Sequence, residues 1–163
     1  KVERGSERCH RYIGISYFHL GEFKDSAKWL QRALVTNQYD GEALSMLGTV
    51  YLQTGEGNDI ALNLCQRSIE LEPENGEHKI RYAHALAQSN DYEQAFEILV
   101  DCTRSRKFRI SAWLESASIY LLKGDWNNSE RYLLKVFSSQ EATPYFLNKA
   151  KELQTTLAEK RLR

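Results

Sequence analysis

Proline is scarce in this chain, with two in 163 residues. So few argue against a disordered or linker-rich polypeptide and against a turn-dense β-protein. Net charge is lacking too, since 22 Lys and Arg stand against 22 Asp and Glu. Generic attraction to nucleic acid or to an acidic membrane surface therefore has no global electrostatic support. No apolar run approaches the roughly 18 residues that span a bilayer, and no signal-peptide pattern opens the chain. Cysteine is limited to Cys9, Cys65 and Cys102, widely spaced and without a Cys-x-x-Cys pair. That excludes a zinc knuckle and a thioredoxin-type couple. Cys65 and Cys102 read as small buried apolar residues of a reducing compartment, which makes the cytoplasm the expected setting.

Catalytic signatures are missing as well. There is no His-Glu-x-x-His, no Gly-x-Ser-x-Gly and no phosphate-cradling glycine loop. Gly55-Glu56-Gly57 is a glycine pair without the Gly-Lys-Ser/Thr ending such a loop requires. The expectation is of no catalytic residue, no metal ligand and no cofactor.

What is present is a repeat. Residues 41–75 read as two short amphipathic helices joined by a glycine-containing turn and closed by Pro73. Self-comparison finds the pattern four times. Small residues Gly14, Gly48, Ala83 and Ala117 recur at a spacing of 34 or 35. Tyr17, Tyr51, Leu86 and Tyr120 follow. Then come turn residues Gly21, Gly55, Asn90 and Gly124, each before an acidic residue. An aromatic follows in three repeats (Phe23, Tyr92, Trp126), and the next helix carries Ser26, Ala61, Ala95 and Ser129. Small residues at this phase let two helices approach, and the aromatic fills the space beside them. Asp40 and Asn75 stand where N-caps belong. Thr143-Pro144 opens a last helix to about Arg161, apolar on one side and charged on the other, as a cap over an apolar end should be.

These landmarks resemble those of the tetratricopeptide repeat (TPR) family, whose period is about 34 residues. Repeat 2 departs from the pattern with one extra turn residue around 56–58 and no aromatic there. The resemblance implies an all-α fold, a right-handed superhelical solenoid of antiparallel helix pairs. It implies one domain over 1–163, with repeats at about 7–40, 41–75, 76–109 and 110–143 and a capping helix at about 144–162. Residues 1–6 read as the tail of a preceding unit, as in a segment excised from a longer array, with a tag remnant or a frayed terminus as the alternative.

The function implied is protein–protein interaction without catalysis, a peptide or partner protein being held in the concave groove. The alternative is a self-associating scaffold, hence a homo-oligomer. The groove positions of the family fall on Arg8, Arg11, Ile15, Phe18 and His19 in repeat 1, and on Thr49, Leu52 and Gln53 in repeat 2. In repeats 3 and 4 they fall on Ile80, His84 and Gln88, and on Leu114, Ser118 and Leu121. The groove is thus expected to be basic at one end and apolar toward the other, suited to a peptide with apolar anchors and an acidic end, the alternative being that the last helix or a neighbouring copy fills the apolar stretch. The family's dicarboxylate clamp for chaperone C-terminal carboxylates maps onto Arg11, Ile15, Met46, Glu77 and Arg81. Only the two arginines fit, so a chaperone tail is not the expected ligand.

The histidines read as structural. His10 falls in the slot of Trp113 and should pack. His78 starts a helix and should be solvated. His19 and His84 lie two repeats apart, too far at about 10 Å per helix to share an ion. Arg104, Arg106, Lys107 and Arg109 put four cations in six residues. They could grip a phosphate or an acidic tail, or simply be solvated near a helix C-terminus.

Overall fold

In a computed structural model of the protein, residues 6–162 are described, and they contain nine α-helices and no strand. Of residues 1–6, expected as the tail of a preceding unit, 1–5 lie outside them and Ser6 is the first residue of a helix. The helices are α1 Ser6–His19, α2 Phe23–Thr36, α3 Gly41–Thr54, α4 Asn58–Leu71, α5 Gly76–Gln88, α6 Tyr92–Thr103, α7 Arg109–Lys123, α8 Trp126–Ser138 and α9 Pro144–Arg161. They form two compact units, one ending at Asn90 and the other beginning at Asp91.

Several helices begin or end at a residue that suits the place. Asp40 accepts a hydrogen bond from the Ala43 amide at 3.0 Å, and Asn75 one from the Glu77 amide at 3.1 Å. Both satisfy amides that a helix start leaves without partners. Asp91 and Asp125 cap α6 and α8 in the same way. Thr143 occupies the N-cap of α9 without a side-chain bond, and Pro144 follows at the first helical positions. Gly55 and Gly124 close α3 and α7 with φ of +70° and +80°, a region that costs other residues energy. At the equivalent place Asn90 takes φ +65°. The extra residue of repeat 2 is absorbed by Gly57, also left-handed, directly before α4.

In the first unit, α1 pairs with α2, α3 with α4, and α5 packs on both α3 and α4. The pairing is close because the landmark glycines have no side chain. A Cβ on Gly14 would lie 2.7 Å from Leu30 Cγ, and one on Gly48 2.7 Å from Cys65 Sγ. The core gathers Leu30, Ala33, Ala43, Met46, Leu47 and Val50, with Ile15, Phe18 and Phe23 packed against it. Leu30 is fully buried, and burying such a side chain contributes about 2 kcal/mol. Ser26 Oγ donates to the Gly14 carbonyl at 2.8 Å, tying the two helices of the pair through a buried bond. His10 packs on Trp29, with ring centroids 5.4 Å apart.

In the second unit, α7 pairs with α8, and α9 packs on both. Ile110, Ala117, Leu121, Leu133 and Val136 form the core together with Ala150 and Leu157 of α9. Ser129 Oγ donates to the Ala117 carbonyl at 2.9 Å, repeating the bond between Ser26 and Gly14. Phe96, Tyr120 and Tyr132 stack in succession, with centroids 4.2 and 5.6 Å apart.

One expectation is corrected here. His78 is fully buried rather than solvated. The α4–α5 connection folds over it, so that its Nε2 faces Asn75 Nδ2 at 3.2 Å and Glu72 Oε2 at 3.3 Å. Burial lowers its pKa below the ordinary 6.5, against the opposing pull of Glu42 and Glu72.

Candidate functional site

The residues expected to line a binding surface are taken unit by unit. In the first unit they come from α1, α3 and α5. Arg8 is exposed on the opening turns of α1, and no ion pair joins it to another described residue. Ile15 and Phe18 are half-buried, each giving part of its surface to the core and leaving part open. His19 is exposed at the end of α1, edge-on to Phe18. On α3, Thr49 and Leu52 are half-buried and Gln53 is exposed. Thr49 Oγ1 donates to the Ser45 carbonyl at 2.9 Å, which leaves its lone pairs outward. On α5, Ile80 is buried, while His84 and Gln88 are half-buried and approach each other at 3.5 Å. Apart from Arg8 and the buried Ile80, these residues are partly open apolar side chains and uncharged hydrogen-bonding groups.

Two arginines of this unit are engaged by carboxylates. Arg11 Nη1 binds both Asp40 carboxylate oxygens, at 2.9 and 2.8 Å, while Asp40 also caps α3. Arg81 reaches from α5 to α3, donating to Ser45 Oγ at 2.8 Å and pairing with Glu42 at 3.1 Å. The two cations that matched a carboxylate clamp are therefore both answered by carboxylates of the chain itself. Glu42 falls on a groove position of the family, whereas Asp40, which holds Arg11, was expected only as a cap. Asp40 was legible as a cap, yet nothing in a local pattern shows that it also holds Arg11, 29 residues earlier.

At the edge where α1 and α3 begin lies a polar cavity of about 310 Å³. Arg8, Tyr12, Tyr39, Asp40 and Glu72 are among its walls. Arg8 thus opens onto a concave site, though with carboxylates as well as cations around it.

In the second unit the expected residues sit on α7. Ser118 is half-buried. Leu114 and Leu121 were expected on an open apolar stretch. Instead Leu121 is 6% exposed in one core cluster with Ala150 and Leu157 of α9, and Leu114 packs against that cluster. The apolar stripe of the last helix covers what the repeat positions alone would leave open. Leu122, next along α7, stays exposed.

Among the described residues no group of three or more His, Cys, Asp or Glu is placed to hold a metal ion. No helix among them is long and apolar enough to cross a membrane. Cys65 and Cys102 are buried free thiols and Cys9 is an exposed one. Burial pushes the Cys65 thiol up to about 12.

No protein-family model matches the chain. Over 121 residues it is 29% identical to the BBSome complex member BBS4 of Bos taurus, a match covering 74% of this chain and 23% of that protein. The chain thus spans less than a quarter of the relative's length. Among solved structures it resembles TTC0263, a thermophilic TPR protein of Thermus thermophilus, with a TM-score of 0.76. That match has 22% identity and covers 93% of this chain and 82% of the other. It also resembles YrrB, described as a TPR protein with an unusual peptide-binding site, with a TM-score of 0.61 and 19% identity. There the cover is 98% of this chain and 75% of that one.

Proposed function

From the premise that this chain has the all-α tetratricopeptide-repeat solenoid fold, we propose that its first unit binds a partner polypeptide, without catalysis, on the face made by α1, α3 and α5. The observation that carries this reading is that Ile15, Phe18 and Leu52 are apolar yet half-open, on the same helices as the exposed or half-buried Thr49, Gln53, His84 and Gln88 or on a helix packed against theirs. An apolar patch rimmed by hydrogen-bonding groups marks a contact surface. Ile15, Phe18 and Leu52 supply anchors, the polar groups meet main-chain amides and carbonyls, and Arg8 takes an acidic group at the ligand's end. Because Arg11 and Arg81 are held by Asp40 and Glu42, a chaperone's C-terminal carboxylate is not the proposed ligand. The chain's zero net charge favours a polypeptide over a nucleic acid. The free thiols accord with a cytoplasmic setting.

Panning a random peptide library on the intact protein tests the proposal. Selected peptides should lose roughly tenfold or more in affinity for Phe18→Ala and for Leu52→Glu. Unchanged affinity in both variants removes the assignment.

A second reading is assembly. BBS4 is a member of a complex, and this chain carries exposed Leu20, Val35 and Leu134. Self-association predicts a mass that rises with concentration in light scattering, whereas the binding module stays at one mass until its ligand is added.

A further inference from the structure

The connection between α6 and α7 carries Arg104, Arg106 and Lys107, and Arg109 opens α7. Its side chains are arranged around two carboxylates of the same unit. Arg104 Nη1 lies 3.2 Å from Asp101 Oδ1. Arg106 Nε lies 2.8 Å from Glu141 Oε1, and Arg109 Nη1 lies 3.4 Å from Glu141 Oε2. Glu141 comes from the α8–α9 connection, so one carboxylate is gripped through each of its oxygens by a separate guanidinium. Arg109 is fixed further by donating from Nε to the Thr103 carbonyl at 3.0 Å. Lys107 rests its ammonium 4.9 Å from the Phe108 ring centre and is paired with no described carboxylate. Three of these cations thus meet Asp101 or Glu141, and Lys107 is the fourth.

We propose that this corner docks a phosphoryl group carried by a partner polypeptide, at a place Glu141 partly occupies in the free protein. The side chain of Arg106 is 82% exposed. An ion pair so open to water holds only weakly, so Arg106 is readily drawn away from Glu141. A phosphoryl group brings nearly two negative charges at neutral pH and three strong acceptor oxygens. Arg106 and Lys107 would hold it with support from Arg104, while Arg109 keeps Glu141 and the α8–α9 connection in place. Arg106 and Lys107 together bring two positive charges to one dianion. A membrane surface or a duplex presents many phosphates and calls for a far longer basic track, which a chain of zero net charge does not offer. This site belongs to the second unit, and the proposal does not rest on the reading of the first.

The experiment is fluorescence anisotropy with the full chain and a labelled Gly/Ser peptide bearing one phosphoserine, against its unphosphorylated twin. Binding of the phosphopeptide alone is expected, weakening as pH falls through about 6, where the phosphoryl group loses a charge. Arg106→Ala combined with Lys107→Ala, both exposed positions, should weaken it at least tenfold. Glu141→Gln removes the resident competitor and should tighten it roughly threefold or more. The proposal is overturned if the phosphopeptide does not bind, if the double variant binds it as wild type does, or if Glu141→Gln leaves affinity unchanged or weaker. Stronger capture of a duplex oligonucleotide or of phosphatidylserine vesicles overturns it equally.

Discussion

Replacing Gly48 by alanine sets two opposed effects against each other at one atom. Gly48 lies inside α3, where alanine is favoured over glycine by about 1 kcal/mol. The added Cβ would stand 2.7 Å from Cys65 Sγ and 3.0 Å from the Ala61 carbonyl oxygen, both on α4. Cys65 is fully buried, and the carbonyl is helix backbone, so neither can swing aside. Relief requires α4 to back away from α3, and overpacking of this kind costs about 1–3 kcal/mol. Crowding therefore outweighs propensity, and we expect a net loss of about 1 kcal/mol. Urea unfolding followed by circular dichroism measures it as a lower midpoint with an unchanged slope. Combining the change with Cys65→Ala removes the nearest clash, so the double variant should lose less than the sum of the two single losses. A Gly48→Ala protein as stable as wild type, or more stable, would refute the close-approach argument and leave propensity as the governing effect.

Other consequences can be checked in the same format. Asp40→Ala removes the cap of α3 and strands the half-buried Arg11 guanidinium, an expected loss of about 3 kcal/mol. Asp40→Asn keeps a capping oxygen and should cost clearly less. Because burial holds His78 below its ordinary 6.5, the unfolded chain takes up the proton first. The stability contributed by neutral His78 is present above pH 6.5 and lost as pH falls below it. Denaturation midpoints of wild type and His78→Gln between pH 7.5 and 5 should show a shallower decline in the variant, and parallel declines would contradict this. Gly124→Ala should cost about 1 kcal/mol, because φ is +80° while the space around a Cβ is open, which isolates the backbone effect.

The helix hairpins were readable from the sequence because the rule behind them is local and periodic. A small residue every 34 or 35 positions marks where backbones meet, and the structure puts Gly14 against Leu30 and Gly48 against Cys65. Caps at Asp40 and Asn75 were readable for a similar reason, since a cap is a short-range bond. What escaped was long-range choice among polar groups. Periodicity says which face Arg11 and Arg81 occupy, but not that Asp40 and Glu42 will claim them. His78 escaped because a first-turn position is ordinarily wet, and only the path of the α4–α5 connection buries it. Leu121 was assigned from its place in the repeat, whereas its burial depends on α9, a helix outside the repeat.

The buried thiols have a practical meaning. Cys65 belongs to the first unit and Cys102 to the second, while Cys9 is exposed on α1. A thiol reagent should modify Cys9 at once and reach each of the others only when the surrounding helices open. The natural sequence therefore carries its own pair of reporters. The slow labelling rates, read by peptide mass, give the opening free energy of each unit separately and without mutation. Unequal rates would reveal a molecule that comes apart one half at a time, and equal rates one that opens as a whole.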